Sequence, residues 1–119
     1  MMQKSYSLKK LNEIGQGDQE FINGMLVTFI ENVTNATEKI KNLRLDKNWT
    51  DIAEIAHKLA SNFAYLDSKS LQTIASDIEK SVLNDNDLTG IEEKTDKMYK
   101  NTILLIEELR NDFDFLSKN

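Results

Sequence analysis

The stretch DIAEIAHKLASNFAYL, Asp51–Leu66, contains neither glycine nor proline and holds the only histidine of the chain, His57. An α-helix turns by about 100° per residue, so residues three and four positions apart share a face. With Ile52 placed at zero, five further apolar residues fall within about 60° of it. They are Ile55, Ala56, Leu59, Phe63 and Leu66. The stretch therefore predicts an amphipathic helix with a single core stripe.

His57 falls outside this stripe, about 140° from Ile52, on the side that faces solvent. The same-face positions around it, three, four and seven residues away, are Ala53, Glu54, Ala60, Ser61 and Ala64. Because four of these five residues are alanine or serine, we expect the imidazole to be accessible to a large partner. On geometry alone, an ordinary exposed histidine beside helix-favouring alanines is an equally good interpretation.

The other segments also have helical periodicity, and a chain with no proline and four glycines favours long helices. The predicted helices are Ser7–Ile14 with Gly15 as the C′ residue, Gln19–Leu45, Asn48 or Trp49 to Leu66, Lys69–Leu83 and Gly90–Leu116. The predicted N-caps are Asp18, Ser68 or Ser70, and Thr89 in a capping box with Glu92. The predicted fold class is all-α: an antiparallel up-down four-helix bundle with a short extra N-terminal helix, in one domain over residues 1–119.

Composition limits the possible functions. A net charge of −5 argues against nucleic acid as a partner, since phosphate binding needs a basic surface. No run of about 18 apolar residues is present, so we expect no membrane span. The N-terminus lacks the apolar region of a signal peptide, and the chain has no cysteine, which is compatible with a cytoplasmic location.

Few residues offer catalytic or metal-binding chemistry. Glu54 and His57 alone are too few ligands for a metal site, and cysteine ligands are absent. No Ser-His-Asp arrangement can be assembled locally, and the glycines at 15 and 17 open no strand–loop–helix unit. We therefore expect neither a metal nor a cofactor in this chain.

Three stretches carry a family resemblance: GDQEFINGMLVTFIENV, IAHKLASNFAYLDSKSLQTIASDIE and the long final helix. The chain resembles the histidine-containing phosphotransfer (HPt) domains of multistep two-component signalling, from about Leu8 to Leu116. In the second stretch a histidine is followed by leucine two positions later, a segment of small residues and a terminal Ile-Glu pair. The matching positions are His57, Leu59, Leu66, Leu71, Ile78 and Glu79.

The resemblance implies a phosphorelay intermediate. His57 is expected to accept a phosphoryl group through Nε2 from an aspartyl phosphate of a receiver domain and to pass it to another receiver. Response-regulator receivers and a hybrid histidine kinase are the expected partners of a monomeric, cytoplasmic carrier, with Mg²⁺ supplied by the receiver. The residues expected to surround the phosphoryl group or contact the receiver are Thr50, Ala53, Glu54, Lys58, Ala60, Ser61 and Ala64.

Three positions depart from the family pattern. Ala60 stands where lysine is common, and Ser61 and Asp67 stand where glycine is common. The missing lysine motivates an alternative function, a receiver-binding module on the same fold that is not phosphorylated. The phosphoacceptor bundle of a histidine kinase is a third interpretation, but HKLASNF lacks the proline of the usual box.

Overall fold

The computed structural model describes residues 5–116, and its regular elements are all helical. The helices are α1 (Lys9–Gly15), α2 (Gln19–Leu45), α3 (Trp49–Tyr65), α4 (Lys69–Glu79) and α5 (Ile91–Asp112). A π-helical segment, Lys80–Asn84, continues α4, and a 3₁₀ turn, Asp114–Leu116, follows α5. The described range has no strand, which confirms the all-α class, and the predicted domain limits at residues 1 and 119 lie outside it.

Polar side chains begin α2 and α3. The Asp18 carboxylate accepts hydrogen bonds from the backbone N–H groups of Glu20 and Phe21, at 3.1 and 3.3 Å. The Asn48 side chain accepts one from the Asp51 backbone N–H, at 3.2 Å. These bonds satisfy amide groups that have no partner within the helix, and they confirm the predicted starts of α2 and α3.

Of the two other predicted caps, Ser68 is at the predicted position without a capping bond, and Thr89 is wrong. Ser68 occupies the N-cap position of α4, but its hydroxyl donates to the Ser5 carbonyl at 2.5 Å instead of capping the helix. The capping box at Thr89 does not form, because Gly90 is the N-cap of α5, in a left-handed conformation with φ of 69°. The Thr89 backbone N–H is instead bound by the Asp87 carboxylate, at 3.0 Å.

Two predicted helix ends also differ from the structure. The α-helical geometry of α4 stops at Glu79, and the wider π turn that follows is closed by a bond of 2.9 Å from the Asp85 N–H to the Lys80 carbonyl. Helix α5 stops at Asp112, because Phe113 is extended and the 3₁₀ turn after it directs Leu116 into the core. Periodicity alone marks neither change.

The core forms where four long helices meet. Helix α2 packs against α3 and α5, and α4 packs against the same two helices. The stripe predicted for α3 lies in this core: five of its six residues are at most 2% exposed, and Ile55 is half-buried. Burial of such side chains drives the association of the helices.

The segment before α1 crosses the end of the bundle. The Ser7 N–H donates to the Leu66 carbonyl at 2.7 Å, and the Tyr6 hydroxyl donates to Asp112 Oδ2 at 2.6 Å. Burial and the adjacent Asp112 carboxylate raise the pKa of the Tyr6 phenol above its ordinary value, so the hydroxyl stays a donor. These bonds tie the segment before α1 to the C-terminal ends of α3 and α5.

Helix α1 also packs closely on the start of α2. Gly15 is the last residue of α1, and the left-handed residue after it is Gln16, with φ of 51°, so the prediction of Gly15 as C′ is wrong by one position. A β-carbon added at Gly15 would lie 2.6 Å from Phe21 Cδ2. The absent side chain therefore allows this close approach.

Two glycine substitutions test this packing. Gly24→Ala places a methyl group in open space on α2, so we expect the free energy of unfolding to rise by about 0.5–1 kcal/mol. Gly15→Ala forces the Phe21 ring to move, and we expect a loss of about 1 kcal/mol. Urea unfolding of both variants measures the difference, and equal gains in stability would contradict the close approach.

Candidate functional site

His57 projects from the middle of α3, and 68% of its side-chain surface is exposed. This confirms the prediction that the imidazole lies outside the core. Its Nδ1 atom lies 2.7 Å from Oε2 of Glu79, the last residue of α4. The Glu79 side chain is 30% exposed, so the contact lies at the surface and is partly covered on the Glu79 side.

The turn between α3 and α4 brings the two side chains together. Asp67 adopts a left-handed conformation, with φ of 55°, and the chain reverses within three residues. His57 precedes the end of α3 at Tyr65 by eight residues, and Glu79 follows the start of α4 at Lys69 by ten. Residues at similar distances from the turn of a helical hairpin lie near each other, so this register places Glu79 beside the imidazole.

The hydrogen bond fixes the position of the ring proton. A carboxylate can only accept a hydrogen bond, so the proton lies on Nδ1 and the imidazole is the donor. In the neutral ring, Nε2 then carries the free lone pair. The arrangement presents an oriented nitrogen nucleophile to solvent.

The predicted surroundings of His57 are mostly found at the surface of α3. Thr50, Glu54, Lys58 and Ser61 are exposed, and Ala60 and Ala64 are half-buried. Ala53, in contrast, is 0% exposed, so its predicted contact with a partner is wrong. By helical pitch Ala53 lies about 40° nearer the core than His57, on the flank that α4 covers.

Lys58 occupies the opposite flank of α3 from Glu79. With Lys39 and Asn62, its side chain forms part of a groove between α2 and α3. Among residues 5–116, the one ion pair of Glu79 is that with His57, and no lysine or arginine is paired with either group. The structure therefore shows no cation in place of the lysine that Ala60 lacks.

Neither a metal-ligand group nor a membrane-spanning helix is present in residues 5–116. Residues 5–116 contain no group of three or more histidine, cysteine, aspartate or glutamate side chains placed to hold a metal ion. No helix in this part of the chain is both long enough and apolar enough to cross a membrane.

Sequence reasoning named Glu79 as part of the resemblance but assigned it no role. The missed signal is that the two residues lie at similar distances, eight and ten residues, from the turn between α3 and α4. Glu79 is the acceptor that orients the ring, and it belongs to the site with His57.

Most of the chain is similar to a known domain family. A family model described as the Hpt domain matches residues 24–115, which include both His57 and Glu79 and exclude α1. No curated protein and no solved structure matched the chain.

The role of Glu79 can be tested by the tautomer of His57. At a pH where the imidazole is neutral, we expect the Nδ1–H form to predominate in the wild-type protein. Glu79→Ala removes the acceptor and should shift the ring toward the Nε2–H form, while Glu79→Gln should retain the bond through its amide oxygen. Long-range ¹⁵N–¹H NMR reports this directly, since the chain has a single histidine. Unchanged ring-nitrogen shifts in Glu79→Ala would contradict the assignment.

Proposed function

The chain belongs to the Hpt domain family, and from that premise we propose that His57 is the phosphoacceptor of a phosphorelay. It accepts a phosphoryl group from the aspartyl phosphate of one receiver domain and passes it to another. The observation that carries this proposal is the exposed imidazole whose Nδ1 is bound by Glu79 at 2.7 Å. That contact leaves Nε2 as the reactive atom.

The proposed transfer exchanges one bond to phosphorus for another. The lone pair of His57 Nε2 attacks the phosphorus atom, and a P–N bond forms as the P–O bond to the aspartyl oxygen breaks. The electron pair of the broken bond stays on the aspartate, which leaves as a carboxylate. Onward transfer to a second receiver is the reverse reaction with a different aspartate.

Glu79 stabilises the charge that this step creates. Attack through Nε2 with the proton retained on Nδ1 makes the ring cationic, and the carboxylate already lies 2.7 Å from Nδ1. An acceptor that is in place before the reaction needs no reorganisation during it. Because the same bond orients the ring, Glu79 combines positioning with electrostatic stabilisation.

The rest of the chemistry is assigned to the partner. Phosphoryl transfer depends on positioning and on neutralising phosphate charge, and the described site offers no bound cation for the second task. We propose that the receiver supplies Mg²⁺, so this chain is a carrier and not an enzyme by itself.

The up-down order of the bundle, its single-domain and monomeric state, and its cytoplasmic location stay predictions.

The proposed docking surface is the outer face of α3. It consists of the exposed residues Thr50, Glu54 and Ser61 around His57, with the half-buried Ala60 and Ala64 at its edge. Short side chains let a receiver bring its aspartate close to Nε2. Lys58 extends this surface toward α2.

A receiver-binding module that is not phosphorylated is the second candidate. The observation that favours it is Ala60, which leaves the imidazole without a neighbouring cation. It shares the docking surface with the first candidate and differs from it in the transfer step alone.

Labelling by a phosphorylated receiver distinguishes the two candidates. Receiver domains phosphorylated with a radiolabelled small donor are mixed with the wild-type chain, with His57→Gln and with Glu79→Ala. We expect acid-labile label on the wild type, none on His57→Gln, and label on Glu79→Ala that accumulates at least about tenfold more slowly, since the variant loses a charge-assisted hydrogen bond.

The labelling results distinguish a phosphoacceptor from a module that only binds the receiver. Label that persists on His57→Gln would rule out His57 as the acceptor. A stable complex with the receiver but no label on the wild type would favour the binding module.

A substitution that adds a long charged side chain to α3 tests the docking surface. Ser61→Arg places a long side chain one turn from His57, and we expect transfer to slow by about tenfold while the fold is retained. Asn111→Arg, a similarly exposed position near the end of α5, is the matched control and should transfer at the wild-type rate. Equal rates in both variants would show that the receiver docks elsewhere.

A further inference from the structure

Lys94 of α5 binds two acceptors on α4 and on the π turn that continues it. Its Nζ atom lies 3.1 Å from Asp77 Oδ2 and 3.3 Å from Ser81 Oγ. Asp77 precedes Glu79 by two residues, and Ser81 follows Glu79 by two. One ammonium group therefore spans the short segment that carries the acceptor of the imidazole proton.

The two acceptors of Lys94 lie on the opposite face of α4 from Glu79. At about 100° per residue, residues four apart share a face, and a residue midway between them lies about 160° from both. The contacts agree with this geometry, because Glu79 reaches His57 of α3 while Asp77 and Ser81 reach α5. Lys94 thus holds α4 from the side opposite to the contact with the imidazole.

The helical geometry changes between the two acceptors. Regular α-helix ends at Glu79, so Asp77 belongs to the α-helical part and Ser81 to the π turn. Ser81 is held a second time, since its carbonyl accepts a bond of 2.7 Å from the Asp87 N–H. The junction beside Glu79 is therefore fixed by contacts from α5 and from the loop that precedes α5.

A small rotation of α4 is enough to break the contact between Glu79 and His57. Side-chain atoms lie about 5–6 Å from the axis of a helix, so a rotation of about 20° moves them by about 2 Å. Such a shift takes a pair at 2.7 Å beyond hydrogen-bond distance. The buried Ile78 and Val82 limit this rotation from the core, and Lys94 limits it at the surface.

The contacts of Lys94 contribute more to position than to stability. The Lys94 and Asp77 side chains are 35% and 50% exposed, and ion pairs at such exposure add little to the free energy of unfolding. Loss of the ammonium group should therefore leave the bundle folded while it loosens the position of Glu79.

We propose that Lys94 is a positioning residue, which acts on His57 through Glu79. It fixes the rotation of the end of α4, so that the Glu79 carboxylate stays beside Nδ1 and Nε2 keeps the free lone pair. Its own contacts are with Asp77 and Ser81, away from the imidazole. The effect on phosphoryl transfer rests on the proposed function, whereas the effect on the ring does not.

The first test measures the tautomer of His57 in the full chain by long-range ¹⁵N–¹H NMR, at a pH where the ring is neutral. Lys94→Met removes the ammonium group and keeps an apolar stem, while Lys94→Arg keeps the charge and several donors. Lys100→Met is the matched control, because it removes a pair of the same length, 3.1 Å to Asp96, from the same helix. Circular dichroism monitors the fold of each variant.

The expected effect is a shift of the ring proton. Lys94→Met should lower the ratio of the Nδ1–H form to the Nε2–H form by about two- to fivefold, the range for loss of one exposed ion pair. Asp77→Asn, which weakens the same contact from the α4 side, should lower it in the same direction. Lys94→Arg should stay within about twofold of the wild type, and Lys100→Met should match it.

A double substitution separates positioning from stability. Transfer from a phosphorylated receiver should be about two- to fivefold slower in Lys94→Met than in the wild type. In the Glu79→Ala background the same substitution should cause no further slowing, because the residue through which Lys94 acts is gone. A residue that only stabilises the bundle would slow transfer equally in both backgrounds.

Three results would overturn the inference and leave the proposed function intact. They are an unchanged tautomer ratio in Lys94→Met and Asp77→Asn, an equal fall in Lys100→Met, and additive slowing in the double variant. If Lys94→Met fails to fold, the tautomer ratio of Asp77→Asn decides the outcome. If no receiver labels the wild type, the proposed function fails, and the tautomer ratio still decides whether Lys94 orients the ring.

Discussion

The antiparallel contact between α3 and α4 is the constraint on which the site depends. A turn of three residues, with Asp67 in the left-handed conformation, sets the register of the two helices. Buried side chains such as Phe63 and Ile78, both 0% exposed, then hold that register. His57 and Glu79 meet as a consequence of this packing. Their bond is mostly exposed to solvent, so it adds little to stability and serves to orient the ring.

The parts of the fold that follow from local chemistry could be predicted. The core stripe of α3, the Asp18 cap and the exposure of His57 all follow from helical pitch and hydrogen-bonding chemistry, and the structure confirms them. Pitch gives the angle of a residue around its own helix, but it does not give the positions of neighbouring helices. Ala53 was therefore placed at the surface, although the flank on which it lies is covered.

The features that could not be predicted depend on tertiary contacts. The π turn after Glu79 lies where Lys94 of α5 reaches both Asp77 Oδ2, at 3.1 Å, and Ser81 Oγ, at 3.3 Å. No periodicity within α4 contains that information. The same holds for Ser68, whose hydroxyl is taken by a carbonyl that is distant in sequence. The pairing with Glu79 is different, because the distance of each residue from the turn was available in the sequence.

The charge around His57 bears on the direction of the proposed reaction. Glu79 stabilises the cationic ring that forms during attack, but it gives no stabilisation to the phosphoryl oxygens, which it repels. Glu54 adds a second carboxylate one turn away on the exposed face, and Ala60 provides no cation to offset either. A phosphoryl group on Nε2 would then be held by its covalent bond, without a neighbouring cation to stabilise its oxygens. In the proposed relay, such a site would favour onward transfer to a receiver that supplies a cation.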